Sequence, residues 1–263
     1  MKALRTAVSL FTVIPAGGDA ELSEGDAARA VLWLPVVGMA LGLAGAAVLL
    51  GAGAGGTGGA RRLLGAALAV ALVALLTGGL HLDGLADSAD GLGSRRPAEG
   101  ALAIMRRSDA GPMGVAALVL MLLIQVAALA AVPRPPLGAA AFVLAQVTGR
   151  VAVVVATGSP AARPGGFGAL VAGRTTERAR TLVVTALGGA VAAAGLAAGA
   201  AGLTPDGAGL AASGLAAAIS GLLAGSLLER VARRRLGGMT GDVFGAILEV
   251  TATTVLVACV LIT

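Results

Sequence analysis

Val115-Ala-Ala-Leu-Val-Leu-Met-Leu-Leu-Ile-Gln-Val-Ala-Ala-Leu-Ala-Ala-Val132 carries no charge and one polar side chain, Gln125. A helix of that length crosses most of a bilayer's hydrocarbon core. Its apolar residues lack the period-2 alternation of a barrel strand, and the run far exceeds ten residues, so a membrane β-barrel is excluded. Six further apolar runs accompany it, at 31–53, 63–80, 137–157, 181–203, 208–228 and 243–262. The first contains Pro35 and Gly38 and is expected to kink near its start. The run 137–157 has Arg150 inside it.

Composition agrees with these runs. Of 263 residues, 57% are hydrophobic and 13% charged, about half the charged share of an ordinary soluble domain, which excludes a typical soluble enzyme. Forty-two glycines spread among Ala, Val and Leu suit close helix packing in lipid. One cysteine, Cys259, and one histidine, His81, exclude a disulfide framework and a metal centre built on Cys and His. Residues 1–17 carry Lys2 and Arg5, but Thr6, Ser9 and Thr12 break their apolar stretch, which meets Pro15 without a cleavage pattern. They are expected to form a short amphipathic or re-entrant helix. The reading is therefore all-α: a polytopic integral membrane bundle of about seven transmembrane helices, with residues 1–263 forming one membrane-embedded domain.

The net charge of +5 reads first as topology, not as nucleic-acid binding. With seven spans, fifteen Lys and Arg fall on the side of the N-terminus, and only Arg61, Arg62 and Arg134 fall opposite. Positive residues stay cytoplasmic, so the N-terminus is expected inside and the C-terminus outside. Asp83, Asp87, Asp90, Glu99, Asp109, Glu177, Glu229 and Asp242 lie on the same side as the fifteen, whereas Asp206 lies opposite. Any chemistry is expected to face the cytosol.

Gly78-Gly-Leu-His-Leu-Asp-Gly-Leu-Ala-Asp-Ser-Ala-Asp-Gly91, at the end of the second run, spaces Asp83, Asp87 and Asp90 at i, i+4 and i+7. On a helix these share one face, within an arc of roughly 60°. Three like charges raise one another's pKa, and hard carboxylate oxygens select magnesium or manganese. A merely solvated helix end would require neither this spacing nor the flanking Gly84 and Gly91. A second acidic pair, Asp242 and Glu249, is spaced by seven on the last run, with Glu249 inside its apolar part. Asp242 either completes the metal and phosphate site or caps its own helix. Intramembrane acids are functional candidates; Arg150 would then hold an anion or neutralise Glu249. Arg106 and Arg107, before the glycines that open the third run, form either a phosphate cradle with free backbone N–H groups or a topology-setting pair. His81 lies on the helix face away from the aspartates and is expected to be structural or a substrate contact.

At these residues the chain resembles the cobalamin synthases, also called adenosylcobinamide-GDP ribazoletransferases. The closest agreement is Gly79-Leu-His-Leu-Asp-Gly-Leu-Ala-Asp-Ser-Ala-Asp-Gly91. Thr12-Val-Ile-Pro15, Leu34-Pro-Val-Val-Gly38, Met105-Arg106 with Ser108, Gly111 and Gly114, and Gly238-Met-Thr-Gly-Asp242 with Glu249 extend it along the chain. The family commonly reads Met-Arg-Asp-Ser-Arg where this chain has Met105-Arg-Arg-Ser-Asp109, exchanging acid and base. The resemblance implies a transferase of the bacterial cytoplasmic membrane in cobalamin biosynthesis. Adenosylcobinamide-GDP is attacked by the ribose hydroxyl of α-ribazole or its 5′-phosphate, and GMP is released with magnesium required. It implies Asp83, Asp87, Asp90, Asp242 and Glu249 as magnesium ligands and Asp90 or Asp242 as proton acceptor. His81, Arg106, Arg107, Ser108, Asp109 and Arg150 become candidate substrate contacts, with Arg106 also catalytic. Lipid and the two substrates are the expected partners; nucleic acid is not, and the reading admits a homo-oligomer. A CDP-alcohol phosphotransferase is the alternative enzyme, although the full spacing of that signature is missing. A cation transporter, the non-enzymatic alternative, would bury acids nearer the bilayer midplane in broken, repeated helices.

Overall fold

The computed structural model describes residues 2–17, 23–54, 58–132 and 134–262. Among them are twelve helices: α1 (Lys2–Phe11), α2 (Glu24–Val31), α3 (Leu34–Ala54), α4 (Gly59–Leu76), α5 (Leu80–Gly93), α6 (Ala98–Ile104), α7 (Pro112–Ala131), α8 (Pro135–Ala156), α9 (Gly166–Val171), α10 (Glu177–Ala200), α11 (Gly207–Leu236) and α12 (Gly241–Ile262). Seven are long and apolar enough to cross a membrane: α3, α4, α7, α8, α10, α11 and α12. They correspond one for one to the seven apolar runs. α1 is the amphipathic N-terminal helix that the polar interruptions imply, with Thr6, Ala7 and Phe11 turned inward.

Local chemistry sets the ends. Pro112 and Pro135 open α7 and α8 at positions where a missing N–H breaks no helical bond. Ser23, Thr176 and Asp206 cap α2, α10 and α11 through backbone N–H groups of Asp26, Ala179 and Gly209. Gly237 ends α11 in the left-handed conformation.

Three boundaries differ from the sequence reading. The kink expected in the first run is a break: α2 stops at Val31, and α3 begins after a turn, with Pro35 in its first turn. The second run ends at Leu76, not at residue 80, and turns at Gly78 and Gly79, whose φ values are +60° and +72°. Only glycine adopts such angles freely, so the aspartate motif begins a separate helix, α5. The backbone N–H of Val13 donates to Leu76 O at 2.8 Å, tying the chain after α1 to this turn. Finally, α11 continues past residue 228 to Leu236, carrying Arg230, Arg233, Arg234 and Arg235 on helix.

α8 is the most enclosed span, followed by α12, while α7 and α10 keep most of their surface outward. α3 crosses α8 through Gly38, Gly42 and Gly45, and a Cβ at Gly42 would lie 2.9 Å from Val143 Cα. Packing of this kind holds helices together in lipid, where apolar surface alone gives no preference for protein. With seven spans alternating in direction, α1, α2, α5, α6, α9 and the junction of α11 with α12 gather at one end of the bundle. There α5 packs on α12 and α6, and α9 on α2 and α12.

Gly42→Val is expected to destabilise the α3–α8 crossing by about 1–3 kcal/mol. Gly51→Val, whose added Cβ meets nothing within 4 Å, should leave the melting temperature in detergent unchanged, so thermal melts of the two variants check the assignment.

Candidate active site

The crossing of α5 over the start of α12 builds the site. Gly84 faces Asp242 so closely that a Cβ would stand 2.7 Å from the Asp242 carbonyl oxygen, and one at Gly245 would stand 3.2 Å from His81 Cα. Backbone therefore meets backbone, and Asp83 and Asp242 arrive together on a cleft of about 340 Å³. His81, Arg163, Phe167, Thr240 and Phe244 share its walls, with Phe11 of α1 reaching in from the other side. Phe11 and Phe167 pack edge to face, their ring centroids 5.4 Å apart and their planes at 83°, a favourable aromatic geometry.

Asp242 is not the cap of its helix. The Val243 N–H donates to Thr240 Oγ1 at 3.2 Å, and the Thr240 hydroxyl in turn donates to Asp242 Oδ2 at 3.1 Å. The same oxygen faces Arg163 Nη2 at 3.8 Å. Thr240 takes the capping role that the sequence left open for Asp242, and Asp242 lines the cleft. Asp87 lies one turn beyond Asp83 on α5. Burial, then the like charges of Asp83, Asp242 and Asp90, push its carboxyl up to about 6 against the opposing pull of Arg163.

Asp90 shares their helix face but has a different occupation. Its Oδ2 accepts from Gly111 N–H at 2.6 Å and its Oδ1 from Gly114 N–H at 2.9 Å, so it caps α7 from a neighbouring helix. A Cβ at either glycine would lie 2.5 Å from this carboxylate, which accounts for both glycines of that motif. The backbone N–H groups expected to be free for phosphate at the start of the third span are therefore engaged by Asp90. Arg106, Arg107, Ser108 and Asp109 are exposed in the loop before α7 and none lines the cleft. Arg107 grips Asp109 with two hydrogen bonds, of 3.0 and 2.8 Å, and holds its carboxyl below the ordinary value. Because the two residues pair with each other, the exchange of acid and base noted in the sequence preserves the pair.

Glu249 and Arg150 belong to a different layer. Glu249 accepts from Gln125 Nε2 at 2.8 Å, and the same nitrogen donates to Thr253 at 2.9 Å. Arg150 is fully buried, donating to the carbonyl and side chain of Gln146 at 2.9 and 2.8 Å. Neither lines the cleft. His81 lies between the layers: it is buried yet borders the cleft beside Asp83. Burial and the Arg150 charge push its pKa down to about 3, so its imidazole is neutral.

Among the described residues, no three His, Cys, Asp or Glu side chains stand ready around a single ion. The donor chemistry nevertheless fits a hard cation. Asp83, Asp87 and Asp242 offer carboxylate oxygen alone, and their mutual repulsion is what a divalent ion relieves. Arg163, Phe167 and Thr240 were missed as site residues by the sequence reading, which counted Arg163 only as charge. The available signal was the loop Arg163-Pro-Gly-Gly-Phe-Gly168, a cation followed at once by turn-forming residues.

The fold and the cleft define an all-helical, multi-pass membrane protein with a largely apolar cleft at one end of its bundle, into which Asp83, Asp242 and Arg163 bring charge. The family model described as cobalamin-5-phosphate synthase matches residues 3–260, and the chain belongs to that family. It is 40% identical over 259 residues to the adenosylcobinamide-GDP ribazoletransferase of Frankia casuarinae, an alignment covering 96% of this chain and 92% of the relative. The protein of the same name from Bradyrhizobium diazoefficiens is 39% identical over 252 residues, with 92% and 87% covered. That from Stutzerimonas stutzeri is 39% identical over 268 residues, with 99% and 98% covered. No solved structure matches the chain. The comparisons favour neither the CDP-alcohol phosphotransferase nor the cation transporter.

The raised Asp87 pKa has a measurable sign. A carboxyl that titrates near 6 folded and 3.8 ordinarily destabilises the fold when ionised and ceases to do so once protonated. In metal-free detergent solution, Asp87→Asn should melt higher than wild type at about pH 7.5, and the advantage should fade as pH falls through about 6 toward 4. A constant difference in melting temperature across that range would refute the assignment.

Proposed function

We propose that the protein is an adenosylcobinamide-GDP ribazoletransferase acting in the bacterial cytoplasmic membrane. The observation that carries this reading is the meeting of Asp83 and Asp242, more than 150 residues apart, with Arg163 on one cleft. A ribose hydroxyl of α-ribazole or its 5′-phosphate attacks the phosphorus nearer the cobinamide. The new P–O bond forms the nucleotide-loop phosphodiester, the P–O bond to GMP breaks, and GMP leaves with the bridging oxygen.

Positioning and charge neutralisation carry most of such a reaction. Asp83, Asp87 and Asp242 are the residues that would hold magnesium. When bound, the ion neutralises charge on the diphosphate and on the departing GMP. Asp242, held by the Thr240 hydroxyl and turned to the cleft, is the acid placed to accept the hydroxyl proton. Asp90, with both oxygens committed to α7, holds α5 in place. The neutral His81 borders the cleft as an uncharged wall, available as a substrate contact.

The proposed orientation has the cleft facing the cytosol, the N-terminus inside and the C-terminus outside. The fifteen basic residues lie at the end of the bundle that carries the short helices and the cleft, which supports that direction.

Two tests follow. With purified protein in lipid, turnover of adenosylcobinamide-GDP and α-ribazole should vanish with EDTA and return with magnesium. Asp83→Asn and Asp242→Asn should each lower kcat by about a hundredfold or more; near-normal rates in both variants would remove the acids from the chemistry. For topology, a reporter fused to the C-terminus should behave as external and one inserted at 174–176 as cytosolic; the reverse pattern inverts the protein.

A further inference from the structure

Arg163 and Arg174 lie between α8 and α10, Arg178 and Arg180 lie in the first turn of α10, and their surroundings separate one from the rest. Arg174 pairs with Glu24 at 2.7 Å, Arg180 donates to the Thr175 carbonyl at 2.5 Å, and Arg178 is exposed. Arg163 is the one arginine or lysine among the described residues that line the cleft, where its company is Asp83 and Asp242.

The backbone delivering Arg163 is anchored on three sides. The Ser159 hydroxyl donates to the Glu229 carboxylate of α11. Met239 N–H donates to Pro160 O at 2.8 Å, and Ala162 N–H donates to Met239 O at 2.9 Å, forming a short parallel bridge between this loop and the entry to α12. Gly238 permits that bridge, since a Cβ there would lie 2.6 Å from the Ala161 carbonyl carbon. Arg163 is thereby fixed beside Asp242 at its root.

Its guanidinium is not committed to match. The approach to Asp242 is 3.8 Å and the contact with Leu102 O is 3.5 Å, whereas a charge-assisted hydrogen bond closes at about 2.7–2.9 Å. The planar fork thus keeps most of its donors available. A diphosphate entering a cleft walled by two aspartates meets repulsion unless a cation faces it, and the exposed Arg106 does not line this cleft.

We infer that Arg163 is a substrate-binding residue whose guanidinium takes the diphosphate oxygens of the nucleotide-bearing substrate. The inference rests on the proposed reaction for the identity of that substrate. Its physical content, a nucleoside diphosphate held by Arg163 in the α5–α12 cleft, can be measured without turnover.

The test uses full-length protein in lipid nanodiscs, with GDP as binding probe and both substrates for kinetics. Arg163→Gln should weaken GDP binding and raise KM for adenosylcobinamide-GDP by about tenfold or more, while KM for α-ribazole stays within about twofold. Arg163→Lys, which keeps charge but loses the fork, should fall between wild type and Arg163→Gln. An arginine that only balances Asp242 or braces its loop would shift both KM values together or lower kcat alone; either result overturns the inference, as does unchanged GDP binding. If Arg163→Gln does not survive purification, Arg163→Lys decides: a selective rise in KM for the GDP-bearing substrate supports the inference and wild-type behaviour overturns it. Wild-type protein that binds GDP through Arg163 yet never joins the two substrates would refute the proposed reaction and leave the arginine assignment standing. Normal turnover with unaltered KM in Arg163→Gln would do the opposite.

Discussion

Carboxylates repel, and setting Asp83 and Asp87 of α5 beside Asp242 of α12 opposes the packing of those two helices. The opposing term is the close approach of their backbones, with Gly84 against the Asp242 carbonyl and Gly245 against His81. Side chains larger than hydrogen at these points would separate the helices, and the cleft would lose one wall. Asp83 and Asp242 are thus held together on it by glycine contacts that carry no charge. This arrangement leaves an unbalanced negative cluster that a divalent ion or a cationic side chain complements.

Two further contacts turn that crossing into a closed frame. Asp90 ties α5 to the start of α7 through Gly111 and Gly114. Farther along α7, Gln125 reaches Glu249 and Thr253 of α12. The three helices therefore hold one another pairwise, by backbone contact, by a cap across helices and by a side-chain amide. The two polar contacts each contribute modestly, on the order of 1 kcal/mol, but closed into a ring by the backbone packing of α5 on α12 they fix relative depth and rotation together. α1 joins the frame at the cleft through the Phe11–Phe167 pair, so a short helix at one end of the chain borders a cleft walled by α5 and the start of α12.

The spans were legible because hydropathy over about 20 residues is a long-range sum that no single residue overturns. Their ends were less so. The turn at Gly78 and Gly79 adds polarity to nothing, and an apolar count runs through it toward Leu80; only the positive φ of both glycines shows that a new helix begins. The aspartate spacing was legible as a shared face, which α5 has, but periodicity could not distinguish Asp87, among other acids, from Asp90, which meets backbone donors of a helix 21 residues away in sequence. Arg163 was illegible for a related reason. What delivers it is a pair of backbone hydrogen bonds to Met239, and backbone bonds between distant loops leave little trace in side-chain pattern.

The pairing of Asp242 with Glu249 shows where helical reasoning stops. Seven residues bring two side chains back to nearly the same angle about the axis, but they also separate them by roughly 10 Å along it, a third of the hydrocarbon thickness. In water that offset matters little, because screening and solvation make both positions alike. In a bilayer it changes the environment completely. Asp242 remains at the bundle end, beside Arg163 and the cleft, while Glu249 enters the layer of Gln125 and the wholly buried Arg150. There a charge without partners would cost several kcal/mol, so partners are what the position selects. One helix face thus holds acids at two depths: one opening on the cleft beside Arg163, the other enclosed in polar cohesion with Gln125 and Thr253.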